Sequence, residues 1–170
     1  MTHLLVTQLR FVRSEFQRGL FGVTEAEAIQ RFGPINCISW MVGHLANQEQ
    51  RYWLLRAQNK LPFPELIDLV GYGSPASTPP LAEMWAAWHA ITQTADSYLD
   101  ALDPQSLMSF ANRSDQKIMM EESMGTLLMR NIYHYWYHTG EAMAVRQMLG
   151  HTHLPDFVGD LNNAPYFPEK

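Results

Sequence analysis

Two histidines spaced four residues apart, His134 and His138, are the strongest chemical feature of the sequence. In a helix, residues at this spacing project from the same side about one turn apart, so one metal ion could reach both imidazoles. Their helical stripe is apolar at both ends and polar only in the middle, although the inner face of a bundle should be apolar throughout. Buried imidazoles need partners, because an unpaired buried polar group costs a few kcal/mol. A metal ion is one such partner, and an ordinary hydrogen-bonding group is the alternative.

A third imidazole lies on a different predicted helix. His44 is near the middle of the second helical segment, on a stripe with Cys37 and Arg51 and flanked by Met41 and Gln48. A single histidine there would usually be structural. Together with His134 and His138 it completes three protein ligands, and three ligands with one position left for water is the pattern of catalytic metal sites.

Glu141 follows His138 by about one helical turn. Its carboxylate has three functional interpretations: a fourth metal ligand, a partner for an imidazole N–H, or a general base. The structural alternative is a capping or ion-pairing carboxylate near the end of the bundle. The sequence leaves this choice open.

Two other reactive side chains lie on the second predicted helix. Cys37 precedes His44 by two turns, about 10 Å at the helical rise, which favours a buried inert thiol over a ligand. Glu49 is rotated away from the His44 face. We expect it to pair with a neighbouring base, Arg51 or Arg56, or with the last helix.

The other histidines have ordinary explanations. His89 lies beside a tryptophan-rich stripe, where it either faces the site from the third helix or is a satisfied core or rim imidazole. His151 and His153 lie in the C-terminal tail. An H-x-H pair can bind metal, but exposed tail histidines are usually solvated.

The elements that must position these residues are four long helices, predicted from apolar residues at three- and four-residue steps. The connection 60–80 holds five of the ten prolines and has room for one short helical turn, and such long loops are often functional. Residues 105–120 lack helical periodicity and predict a small hairpin that turns at 112–115. An irregular tail covers 150–170. We therefore predict one all-α domain over 1–170, a four-helix bundle with helices at about 2–20, 36–59, 80–102 and 123–149.

Composition narrows the class of protein. The chain of 170 residues has one cysteine, which permits no intrachain disulfide and no thiolate-rich metal site. Its net charge of −5 argues against a duplex nucleic-acid binder. No apolar run is long enough to span a membrane and no signal peptide is evident, so we expect a cytoplasmic protein. Only 17% of residues are charged, which favours a surface partly covered in a homodimer. Nucleotide-binding and serine-hydrolase motifs do not occur.

The segments 38–49 (ISWMVGHLANQE) and 134–141 (HYWYHTGE) together resemble the DinB-like metalloprotein superfamily, and the resemblance covers essentially the whole chain. It implies a bundle with up-down-down-up topology, in which the 60–80 connection is the long crossover. It also implies that His44, His134 and His138 bind one divalent metal ion: nickel, zinc, iron or manganese. Dimers are common in this superfamily.

The superfamily often continues the second histidine of the pair with Arg-Gly-Gln, whereas this chain has Thr139-Gly140-Glu141. The expected ligands are unaffected, but roles carried by that arginine or glutamine do not transfer. The resemblance implies a metal-dependent enzyme in which the metal activates water or a small thiol, of hydrolase or thiol S-transferase type. The alternative is a non-catalytic, metal-stabilised dimeric bundle that acts as a binding or stress-related module.

Overall fold

The computed structural model describes residues 2–110, 122–156 and 158–166. Within these residues the regular secondary structure is helical, and no β-strand occurs. This confirms the all-α class. A seven-residue π-helical segment continues α3 directly, and a 3₁₀ turn lies in the tail. The elements are α1 (Leu4–Gly19), α2 (Glu25–Ala28), α3 (Ile38–Glu49), the π-helical segment (Gln50–Arg56), α4 (Leu66–Val70), α5 (Leu81–Asp100), α6 (Pro104–Met108), α7 (Met124–Met148) and the 3₁₀ turn (Leu161–Asn163).

The long helices agree with the predicted ones to within a few residues, but two helix starts differ. Helix α3 begins after Cys37, two residues later than predicted, and the Cys37 side chain makes no capping bond. Helix α5 begins after Pro80 and takes its cap from a distant residue. The Glu25 carboxylate accepts the backbone N–H groups of Leu81 and Ala82 at 2.8 and 2.7 Å. Sequence patterns cannot predict such a cap, because its acceptor is remote in the chain.

The predicted hairpin at 105–120 is wrong where the structure describes it. Residues Pro104–Met108 form α6, because Asp103 caps the backbone N–H of Ser106 and proline occupies the first helical position. The proposed turn at 112–115 lies outside the described residues. An isolated antiparallel bridge joins Phe110 to Ser123, the residue that caps α7.

Helix α3 packs against α5, α1 packs against α7, and α3 also contacts α7. One buried apolar cluster runs between these helices. Phe16 of α1 lies at its centre, with ring centroids 5.8 Å from Trp85 and 5.7 Å from Tyr135. Among the described helices, none has the length and apolar character needed to cross a membrane.

A buried ion pair crosses this core. Glu49 is fully buried and accepts hydrogen bonds from Arg13 at 2.7 and 2.6 Å. Tyr135 donates to the same carboxylate at 2.9 Å, and Trp88 donates to the Tyr135 hydroxyl at 2.7 Å. Arg13 also bonds Asp96 at 2.8 Å. The network therefore joins α1, α3, α5 and α7.

This network corrects the expected partner of Glu49. Its arginine partner is Arg13 of α1 and not Arg51 or Arg56, because Glu49 points into the core rather than along its own helix surface. The expected contact with the last helix is confirmed by Tyr135.

We predict that Glu49→Gln lowers the free energy of unfolding by about 3 kcal/mol, because it leaves the buried Arg13 guanidinium without its buried counter-charge. Asp100→Asn is the control, since its ion pair with Arg10 lies at the surface and should contribute about 1 kcal/mol or less. Urea denaturation of both variants gives the comparison. Equal effects would contradict the role assigned to the buried pair.

Candidate metal centre

The structure brings His44, His134 and His138 together. One ligand atom from each lies within 4.8 Å of the other two. The Nε2 atoms of His134 and His138 are 3.0 Å apart, and the His44 ring centroid is 5.0 and 5.2 Å from those of the other two rings. Helix α3 supplies one imidazole and α7 supplies two, as the spacing predicted.

Two of the three imidazoles have an acceptor on the nitrogen that faces away from the cluster. The Nδ1 of His44 lies 2.7 Å from the carbonyl oxygen of Val70, and since a carbonyl only accepts, we assign the proton to Nδ1. The Nδ1 of His138 lies 2.7 Å from a carboxylate oxygen of Glu141. Such bonds fix the ring orientation and leave the Nε2 lone pair for a metal. This is the usual arrangement of metal-binding histidines.

The electrostatics favour neutral imidazoles. Burial lowers the pKa of His44 to about 4, with the neighbouring His138 contributing. Burial also lowers the pKa of His134 to about 3, and His138 and His44 add to this effect. Neutral imidazoles keep the lone pairs that a metal requires. The Nδ1 of His134 is buried with no hydrogen-bond partner among the described residues. This arrangement costs free energy unless a bound metal ion offsets the cost. The donor set therefore fits a divalent metal.

Close packing holds His44 in place. The Trp40 ring stacks on its imidazole at 4.3 Å. Gly43 lacks a side chain where α4 and α5 approach α3, and an added Cβ would lie 3.2 Å from Val70 and in contact with Met84. The missing Cβ lets α4 come close enough for the Val70 carbonyl to reach His44.

A second polar contact joins the two histidine-bearing helices. Asn131 is fully buried, accepts a hydrogen bond from Trp53 at 2.8 Å and donates one to Gln48 at 2.7 Å. Gln48 follows His44 by one turn, and Asn131 precedes His134 by one turn. The bond therefore fixes α3 against α7 next to the imidazoles.

An open cavity of about 720 Å³ lies beside this cluster. Two of the histidines contribute to its wall, whereas His138 and Glu141 do not. The π-helical segment contributes Arg51 and Tyr52, in keeping with the frequent occurrence of π-helical turns at functional sites. Its lining residues are His44, Asn47, Gln48, Arg51, Tyr52, Tyr72, Thr126, Met129, Arg130, Tyr133, His134 and Tyr137.

Glu141 lies behind His138, with its carboxylate on the imidazole Nδ1. Among the described residues, the cluster of ligand atoms contains three histidines and no carboxylate. This position supports the interpretation of Glu141 as an imidazole partner. Cys37 is buried against Ser39 and the Ser77 carbonyl, at 3.3 and 3.6 Å, as expected of an inert thiol.

The other histidines lie outside the cluster. His89 is exposed and its ring packs against Trp85. His151 accepts a hydrogen bond from Arg146 and contacts Glu27 at 3.0 Å, so it ties the tail to α7 and α2. His153 is exposed.

An all-helical bundle with three histidines gathered from two helices has the fold and site of the DinB-like metalloenzyme superfamily. A sequence model described as mycothiol-S-transferase matches residues 4–150, so the chain belongs to the mycothiol-S-transferase family, a metal-dependent member of that superfamily.

The fold is similar to the crystal structure of the conserved protein of locus from Enterococcus faecalis. The two chains are 19% identical, with a TM-score of 0.61, and the match covers 89% of this chain and 98% of the other. At this identity the similarity shows the fold alone. No curated protein matches the chain.

We predict opposite effects for two glycine substitutions. Gly43→Ala should lower the free energy of unfolding by about 1–3 kcal/mol, because the added methyl group overpacks against α4 and α5. Gly140→Ala should raise it by about 0.5–1 kcal/mol, because its Cβ has open space and alanine favours the helix. Thermal or urea unfolding measures both. Stabilisation by Gly43→Ala would contradict the close approach described above.

Proposed function

We propose that this chain is a metal-dependent thiol S-transferase in which His44, His134 and His138 hold one divalent metal ion. The observation that carries the proposal is the convergence of three imidazole nitrogens within 4.8 Å beside an open cavity. Family membership supports thiol transfer as the reaction, and mycothiol is the thiol that the family's name indicates. Zinc, nickel and iron suit a donor set of three imidazoles, whereas manganese prefers oxygen ligands.

When bound, a divalent metal supplies a Lewis acid that lowers the pKa of a thiol or water at its open position. The chain itself supplies orientation. Val70 and Glu141 hold the rings of His44 and His138, while Trp40 stacks beside them. The cavity admits a thiol and an acceptor side by side next to the imidazoles.

The proposed transfer is a substitution. The thiol loses its proton to water in the cavity, its sulfur forms a bond to an electrophilic carbon of the acceptor, and the leaving group departs with the electron pair of the broken bond. Tyr133 and Tyr137 line the cavity and offer hydroxyl groups that can orient the acceptor. Water in place of the thiol would give the corresponding hydrolysis, which is the second reaction type that this site allows.

The non-catalytic alternative, a metal-stabilised bundle, requires a metal closed off by protein ligands. Within the described residues the cluster has three ligands and adjoins a cavity, which favours the enzyme. We also propose that the protein acts in the cytoplasm as a homodimer. The low charge and the single cysteine, which is a free thiol, support this part of the proposal.

Metal analysis tests the site directly. We expect about one divalent ion per purified chain, lost in the alanine variants of His44, His134 and His138. His89→Ala, which removes an exposed imidazole outside the cluster, should keep its metal. Metal added at 100-fold excess over Kd should stabilise the wild type by about 2.7 kcal/mol. A protein that retains full metal without these histidines would refute the proposed ligands.

The thiol-transfer activity should follow the metal. Conjugation of mycothiol to a fluorogenic alkylating agent should disappear on chelation and return when the metal is restored. His89→Ala again serves as the control for intact transfer. Stoichiometric metal without transfer or hydrolysis would instead favour the non-catalytic bundle.

Glu141→Ala should weaken metal affinity by about 10–100-fold, because His138 loses the acceptor that fixes its ring. Glu141→Gln keeps an oxygen acceptor and should lose less. Competition with a metal indicator gives both affinities. Wild-type affinity in Glu141→Ala would show that the carboxylate does not support the site.

A further inference from the structure

We propose that the cavity beside the three histidines binds an organic anion with a planar ring, and that Arg51 and Arg130 recognise its anionic group. The inference rests on the proposed function in one respect, since this ligand would be the acceptor of the thiol. Its binding can be measured without any transfer.

The charge of the cavity wall differs from that of the chain. The protein has 17 acidic and 12 basic residues, yet among the residues that the structure describes, the twelve that line the cavity include Arg51 and Arg130 and no aspartate or glutamate. A concave site lined by one sign of charge concentrates ligands of the opposite sign. Guanidinium groups are also well suited to carboxylates, which they can bind through two parallel hydrogen bonds.

The guanidinium of Arg130 is held in position. The Glu122 carboxylate accepts hydrogen bonds from Nε and Nη2 of Arg130, whereas Nη1 is not part of this ion pair. Its side chain is 44% exposed, so a ligand in the cavity can reach it. Arg51 lies in the same cavity wall as Arg130, together with His44 and His134.

Three tyrosines supply the surface for a ring. Tyr72, Tyr133 and Tyr137 line the cavity and are 95%, 65% and 68% exposed. Tyr133 and Tyr137 are four residues apart and therefore share one side of α7. Large rings left in contact with water gain from covering by another flat apolar group. The volume of about 720 Å³ lies within the range of sites for small organic ligands.

Two probes separate charge from shape. 4-Nitrobenzoate and 4-nitrobenzamide share a ring and nearly a size but differ by one negative charge. We expect calorimetric titration of the protein as purified to show about tenfold tighter binding of the benzoate, as a charge-assisted hydrogen-bond pair would give. Replacing Tyr137 by alanine should weaken both probes equally, because the ring contact does not depend on charge.

Charge variants locate the recognition. Arg130→Gln and Arg51→Gln should each reduce the preference for the benzoate to about twofold or less, whereas Glu122→Gln should enlarge it by releasing Arg130. Arg10→Gln is the matched control, because Arg10 is likewise a partly exposed arginine paired through two bonds, in its case with Asp100. The preference of Arg10→Gln for the benzoate over the benzamide should stay at the wild-type value.

Three results would overturn the proposal: equal affinity for the two probes, the same loss in Arg10→Gln as in Arg130→Gln, or a benzoate preference that disappears on chelation. The last result would mean that the metal ion, and not the arginines, binds the carboxylate of the benzoate. Should Arg51→Gln fail to fold, the exposed Arg130 decides the result. Because binding is read without transfer, failure of the thiol-transfer assay leaves these outcomes separate.

Discussion

The buried ion pair between Arg13 and Glu49 is the interaction on which the arrangement of the bundle depends. A charge in the core must keep its partners, because removing one leaves an uncompensated buried ion. Tyr135 and Trp88 complete the hydrogen bonding, so the network includes side chains from all four long helices. Apolar contacts alone tolerate small shifts between helices, whereas this network accepts one register.

That register also sets the metal centre. Tyr135 follows His134 directly, and successive residues of a helix point about 100° apart. When Tyr135 is fixed toward the core, His134 is turned toward the cavity. On α3, Glu49 and Gln48 repeat this division: Glu49 bonds within the core, whereas Gln48 lines the cavity and accepts from Asn131. The imidazoles thus lie beside two polar contacts that hold α3 and α7 together.

The sequence was sufficient for the parts of this structure that depend on local periodicity. The four long helices follow from the spacing of their apolar residues, and their observed bounds differ from the predicted ones by only a few residues. The grouping of three histidines follows as well, since polar residues interrupt an otherwise apolar stripe at a one-turn interval. The three histidines come together across α3 and α7 because the helical stripes that carry them face the same core.

The remaining features depend on contacts between residues remote in the chain. The partner of Glu49 lies 36 residues earlier, and the cap of α5 comes from Glu25, 56 residues before Leu81. Arg51 shares the helical stripe of His44 in the sequence, which agrees with its place in the cavity wall, whereas the π-helical geometry of its segment has no sequence signal. The sequence of α6 does not indicate a helix, because a single helical turn is too short to show a period.

The donor set explains why the cavity chemistry and the metal chemistry belong together. Three neutral imidazoles would leave a divalent ion its full charge, whereas a carboxylate ligand would reduce it. Glu141 instead accepts a hydrogen bond from His138 and is not among the ligand atoms. The imidazole ring of His138 therefore separates its negative charge from the metal position. With Arg51 and Arg130 in the same wall, a bound metal would add positive charge to this cavity of an acidic chain. Such a field would stabilise both a thiolate nucleophile and an anionic acceptor, so the two halves of the proposed transfer make the same electrostatic demand on the cavity.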